Sequence, residues 1–281
     1  MIPAFRKDTA FLASIATPPN HAHQLRLWWL GQSGFLVLQG DRRLLLDPYL
    51  SDSLTQKYAA TDKPHVRITE RVIAPECLTH IDVATSSHNH TDHLDAETLL
   101  PLRDANPTIR FLIPEANRAF VVERLKIDSN EFIGLDDGES TTICDVRFHG
   151  IAAAHNAIDR DSAGRCHYLG YVIELGPWKL YHSGDTLNYP GFAEKVRAFG
   201  PIDLALLPIN GNDPARRVAG NFDGREAAQL ASAIGAQCVI PCHYEMFEFN
   251  TADPAELFIP ECRRLNQRYQ ILRAGESFTL G

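Results

Sequence analysis

The chain has 281 residues, 44% of them hydrophobic and 22% charged, and a formal net charge of −8. That balance belongs to a globular protein long enough to bury a large core. A negative chain with no basic run longer than two residues repels a phosphate backbone, and no apolar stretch approaches the roughly 20 residues of a membrane helix, so nucleic acid and membrane drop out as partners.

Arg6 and Lys7 precede the apolar run Ala10–Ala16, which is too short and interrupted for a signal peptide. Residues 1–24 therefore read as an N-terminal arm or short helix, and the expected location is cytoplasmic. Leu25–Leu30 and Phe35–Gln39 read as strands around Gly31-Gln32-Ser33-Gly34. Gly40-Asp41 makes a turn, and Arg43–Leu46 leads into Asp47-Pro48. Val83–Ser86 is a strand, and Ala96–Arg103 has helical spacing with Asp95 as its cap. A strand at Arg110–Ile113 and a helix at Ala116–Leu125 follow.

Thr141–His149, Tyr168–Leu175, Lys179–His182, Leu204–Pro208 and Cys238–Ile240 read as further strands, with a helix over Asp223–Ile234. No linker or composition break divides residues 25–281, so they read as a single α+β domain of layered sheets with outer helices. The six cysteines contain no CxxC pair and read as scattered reduced thiols. Cys238 and Cys242 are expected to be small buried hydrophobes.

The chemistry concentrates in His88-Asn89-His90-Thr91-Asp92-His93, four potential ligands within six positions. His88 and His90 are two apart, so both imidazoles face one way in an extended segment, while Asp92 and His93 turn towards a second point. Imidazole nitrogens with a carboxylate suit zinc, iron or manganese. The run sits between a strand end and a helix, where active-site loops collect.

His-x-His-x-Asp-His after a strand resembles the signature of the metallo-β-lactamase superfamily, and other positions match in order. They are Asp47 in Leu45-Leu46-Asp47-Pro48, His155 in Ala154-His155-Asn156, Asp185 in Ser183-Gly184-Asp185-Thr186, and His243 in Pro241-Cys242-His243-Tyr244. The resemblance spans about residues 27 to 255. It implies a four-layer αβ/βα sandwich and two divalent metal ions, Zn2+ or Mn2+. His88, His90 and His155 would hold one ion, Asp92, His93 and His243 the other, and Asp185 would bridge. Such ions, roughly 3.5–4 Å apart, share and acidify a water that attacks the substrate, which makes Asp92 and Asp185 the expected catalytic residues. Asp47 and His182 are expected to orient the ligands from behind.

Within the superfamily, Trp28-Trp29-Leu30-Gly31, the Leu180–Asp185 run, the Val239–His243 run and Ala252-Asp253-Pro254 are similar to the L-ascorbate 6-phosphate lactonase branch. That likeness implies a lactonase acting on a small sugar acid, phosphorylated or not. Asn210 and Tyr244 are expected as polar contacts at the rim, and Arg165 and Arg217 as contacts to an anionic group. The other readings are a phosphodiesterase or phospholipase-type hydrolase and a non-enzymatic metal-binding module of the same fold. The expected partner is a small-molecule substrate, and homo-oligomerisation is left open.

Overall fold

Alternation along the first strands decides the layering. In β1 (Leu25–Gly31) the side chains Leu25, Leu27 and Trp29 enter one core, while Trp28 and Leu30 enter another. β2 (Gly34–Gln39) and β3 (Arg42–Leu46) divide in the same way, with Phe35, Val37, Leu44 and Leu46 on one face and Leu36, Leu38 and Leu45 on the other. A sheet that is apolar on both faces must be covered on both. The computed structural model, which describes residues 1–218 and 220–281, shows what covers it.

β4 (Val83–Thr85), β5 (Arg110–Pro114) and β6 (Phe132–Leu135) extend this sheet. A second sheet lies against its inner face. It runs in the order β12 (Ala236–Cys242), β11 (Ile202–Pro208), β10 (Trp178–His182), β9 (Leu169–Leu175), β8 (Val146–Ala152), β7 (Ser140–Ile143). β13 (Ser277–Leu280) returns to pair with β1, Leu25 opposite Leu280.

Three helices, α1 (Asp8–Ala16), α3 (Ala96–Ala105) and α4 (Arg118–Leu125), cover the outer face of the first sheet through Phe11, Ile15, Leu99, Leu102, Val121 and Leu125. The short α2 (Ser53–Tyr58) lies between β3 and β4 in the chain. On the second sheet, α6 (Gly224–Ala233) packs on β11 and β12. Beside it lie α5 (Phe192–Arg197) and α7 (Phe258–Arg264). The result is the expected four-layer αβ/βα sandwich.

Local chemistry sets several boundaries. Asp95 caps α3, accepting Glu97 N–H and Thr98 Oγ1–H. Asp223 and Glu226 form a reciprocal capping box at the start of α6. One expectation fails: Thr141–His149 is not a single strand. Cys144 and Asp145 both take left-handed backbone, φ 50° and 62°, and fold the segment into the β7–β8 hairpin. Neither is the Asn-Gly or Asp-Gly pair that announces such a turn.

Topology then gathers the chemistry. β3 and β4 are parallel, as are β10, β11 and β12, and β8 runs in the same direction as β10 because β9 is antiparallel to both. Asp47, the His88–His93 run, His155, Asp185 and His243 each follow the C-terminal end of one of these strands. Strands pointing the same way bring their ends to one edge. Among the described residues, no helix is long and apolar enough to cross a membrane.

All six cysteines are free, with Cys77 and Cys144 exposed and the other four buried. Burial pushes the Cys166 thiol up to about 11 and the Cys262 thiol to about 12. A thiol reagent at pH 8 should modify two cysteines quickly in the native protein and four more only on denaturation. Rapid reaction of more than two would contradict this packing.

Candidate metal centre

Asp47 is the anchor of the site. It is fully buried and takes left-handed backbone, φ 41°. Its Oδ1 accepts Thr85 Oγ1–H at 2.9 Å and Ser87 N–H at 3.0 Å. Its Oδ2 accepts His93 Nδ1–H at 2.7 Å and the Ser87 hydroxyl. Burial would raise the Asp47 carboxyl, but its bond to His93 and the neighbouring imidazoles hold it below its ordinary value. Ser87 Oγ gives its proton to Asp47 and so accepts from His88 Nδ1 at 3.0 Å. Both imidazoles are thereby fixed by Nδ1, and both Nε2 atoms are turned away from these bonds.

Those Nε2 atoms meet the other side chains. His93 Nε2 lies 3.4 Å from Asp185 Oδ1 and 3.7 Å from Asp92 Oδ2. His243 Nε2 lies 3.4 Å from Asp185 Oδ2 and 3.6 Å from Asp92 Oδ2. Asp185 thus shows one oxygen to each histidine. Two groups emerge, His88 with His93 and Asp185, and Asp92 with His93 and His243, the donor atoms of each within 4.8 Å of one another. His93 belongs to both. His90 and His155 stand alongside, their ring centroids 4.5 and 5.7 Å from that of His88.

The electrostatics divide these groups. Burial and the neighbouring imidazoles hold His88 well below its usual range, so it is neutral with a free lone pair. Burial would also lower His93 and His243, but Asp185 and Asp92 reverse it, lifting His93 well above its range and His243 to about 9. Burial would raise Asp185 and the mostly enclosed Asp92, yet His93 and His243 hold both well below the carboxylate range. Two carboxylates therefore demand local positive charge. His88 Nε2, His93 Nε2 and Asp185 Oδ1 are also buried with no hydrogen-bond partner in the protein. Buried polar atoms of this kind call for a ligand. A nitrogen and oxygen donor set around excess negative charge fits a divalent cation.

Residues 42–244 match the family description of a beta-lactamase superfamily domain. The chain belongs to this superfamily. A UPF0173 metal-dependent hydrolase of Alkaliphilus metalliredigens is 30% identical over 234 residues, covering 82% of this chain and 90% of its own length. Another from Pyrococcus furiosus is 28% identical over 260 residues, 91% of this chain and all of its own. The solved structure of Igni18, a metallo hydrolase from the hyperthermophilic archaeon Ignicoccus hospitalis, shares the fold. It aligns with a TM-score of 0.66 at 20% identity, over 92% of this chain and 99% of that one. This protein is a metal-dependent hydrolase of the metallo-β-lactamase fold.

Two glycines give the superfamily's residues their room. Gly184, φ 59°, precedes Asp185, and a Cβ there would fall 2.6 Å from Ser87 Cβ. At Gly220, φ 85°, a Cβ would fall 1.6 Å from His155 Nδ1. Only glycine permits both approaches.

A cavity of about 420 Å³ opens over the cluster and is lined by His90, Asp92, His155, Asp185 and His243. Of the expected substrate contacts, Asn210 and Arg217 line it. Asn210 donates to Asn250 Oδ1 at 2.9 Å and keeps an unpartnered Oδ1, while Arg217 pairs with Asp62 at 2.7 Å.

Two expectations need correction. Tyr244 does not reach the rim, because it is buried, stacks on Trp29 at 4.4 Å and donates its hydroxyl to the Leu272 carbonyl. Arg165 does not line the cavity, because Asp161 at 2.7 Å and Glu115 at 3.6 Å hold its guanidinium elsewhere. His182 is sealed inside, its Nε2 on the Ser33 carbonyl at 3.0 Å, and touches no cavity space. Lys57, Lys63 and Arg124 also line the opening. Their positions in the chain carry no motif, and only the fold brings them together.

Asp47→Asn leaves His93 without its carboxylate partner and should weaken metal binding about 10–100-fold, read by titration of metal-free protein. Unchanged affinity would show that the Asp47–His93 bond does not orient the site. Gly220→Ala should displace His155 and lower the bound metal measured by elemental analysis, and full retention would contradict the close approach.

Proposed function

We propose that this hydrolase opens a small anionic lactone, a sugar-acid lactone with or without a phosphate, using two divalent cations, zinc or manganese. One observation carries the reading. Lys57, Lys63, Arg124 and Arg217 line the mouth of the cavity in a chain whose net charge is −8. Basic groups gathered on an acidic protein raise the local concentration of an anion at that mouth.

In this reading His88, His90 and His155 would hold one cation and Asp92, His93 and His243 the other. Asp185 would lie between them, since it shares one group of donors with His88 and His93 and its Oδ2 lies 3.4 Å from His243 Nε2. Cations held there would supply Lewis-acid polarisation of the substrate carbonyl and would acidify a water. Asp92 and Asp185 are the only carboxylates among the described residues lining the cavity, so the proton leaving an attacking water has these two as its carboxylate acceptors. The unpartnered Asn210 Oδ1 accepts a substrate hydroxyl, and Arg217 holds the anionic group at the rim. Asp47 keeps His93 aimed, and His182 acts only through packing behind the site.

The test is a panel of lactones, phosphodiesters and phosphosugars offered to protein loaded with zinc or manganese and to its Asp185→Asn variant. Lactone turnover should require metal. In the variant it should fall by more than the roughly 10–100-fold that accompanies loss of an outer partner of a metal ligand. Turnover of phosphodiesters alone would replace this reading with a phosphodiesterase or phospholipase-type activity. Tight metal binding with no turnover across the panel would favour a non-enzymatic module. Arg217→Ala should raise KM for anionic lactones and leave neutral ones unchanged, and an equal effect on both would remove the anion role.

A further inference from the structure

We infer that Gln32, in the turn between β1 and β2, is a positioning residue that sets how tightly the Asp92–His93–His243 group holds its cation. The inference rests on the two-cation reading above. Gln32 is fully buried and takes left-handed backbone, φ 51°. Its side-chain Nε2 donates to Asp92 Oδ2 at 2.7 Å and stands 3.1 Å from His243 Nε2. Its carbonyl oxygen accepts the His243 N–H at 2.9 Å and Trp29 Nε1–H at 2.9 Å. One residue thus grips both Asp92, 60 positions away, and His243, 211 positions away.

The physical consequence follows from the lone pairs. A carboxylate oxygen has more than one acceptor direction. With one direction of Asp92 Oδ2 taken by the Gln32 amide, the carboxylate cannot rotate freely, and the remaining direction is available to the group formed with His93 and His243. The amide has no proton equilibrium of its own near neutral pH, so it orients Asp92 without competing for charge. Its Oε1 is buried with no partner, so no other bond draws the side chain away from Asp92. The backbone bond does the same for His243, whose φ of 62° also lies in the left-handed region. Trp29, which donates to the same Gln32 carbonyl, also stacks on Tyr244, the residue after His243.

Gln32→Met keeps the length of the side chain and removes both polar atoms. Metal-free wild type and variant would be titrated calorimetrically with Zn2+, and with Co2+ to read the visible spectrum of each equivalent. The wild type should take two equivalents. The variant should hold one unchanged and bind the other about 10–100-fold more weakly, with the cobalt bands of that equivalent alone shifted. Two equivalents bound as in the wild type would overturn the inference and leave the two-cation reading standing. Equal weakening of both, with a lower melting temperature of the metal-free variant, would reveal a merely structural role and overturn it as well. A wild type that takes fewer than two equivalents would remove the two-cation reading and this inference with it.

A crystal structure of the zinc-loaded wild type keeps the question decidable if the variant does not fold. Gln32 Nε2 within hydrogen-bond distance of Asp92 supports the inference. A swung-away amide, or its oxygen at bonding distance from the metal, rejects it.

Discussion

The structure depends on two carboxylates, Asp92 and Asp185, enclosed against His93 and His243 at 3.4 to 3.7 Å. Enclosed carboxylates lose their hydration and persist as anions only beside positive charge. Protonated imidazoles can supply that charge, and so can divalent cations, which is why the same few atoms are both a folding problem and a candidate metal site. Breaking such an arrangement by removing one partner is far more damaging than replacing all of it, because the remaining charge is stranded.

The rest of the fold serves this arrangement. Five strand ends, those of β3, β4, β8, β10 and β12, meet at one edge of the sandwich, and each delivers one part of the cluster. Side chains at the ends of strands inherit the rigidity of sheets buried on both faces, so the donors sit on a frame that does not yield. Where the frame alone would aim a side chain wrongly, the backbone is forced. Gln32, Asp47 and His243 all lie in left-handed conformations that L residues avoid. Strain of this kind persists when surrounding bonds over-determine it, and at Asp47 and Gln32 those bonds are on display.

The division of labour between floor and walls follows from the same logic. The floor is made by residues whose positions are dictated by strand ends. The walls come from α2 and the segment after it, from α4 and from the loop after β11, and they contribute the basic side chains Lys57, Lys63, Arg124 and Arg217. A scaffold and its rim can therefore change independently, the first carrying the metal chemistry and the second the choice of substrate.

Most of the floor was legible in the sequence. His88, His90, Asp92 and His93 are adjacent in the chain, and spacing alone says that neighbours in an extended or turning segment share a location. The strands from β1 to β5, and the helices α3 and α6, were equally legible because their apolar period and caps are local signals. What only the tertiary structure decided depends on distance. The Gln32 grip on Asp92 and His243, the burial of Tyr244, the capture of Arg165 by Asp161 and Glu115 and the basic mouth all require segments far apart in the chain to meet. The Cys144–Asp145 turn escaped for the opposite reason: it is local, but pairing of β7 with β8 holds two non-glycine residues in a conformation their own propensities oppose. Local spacing names the candidate donors of the His88–His93 run, and long-range packing decides what surrounds them.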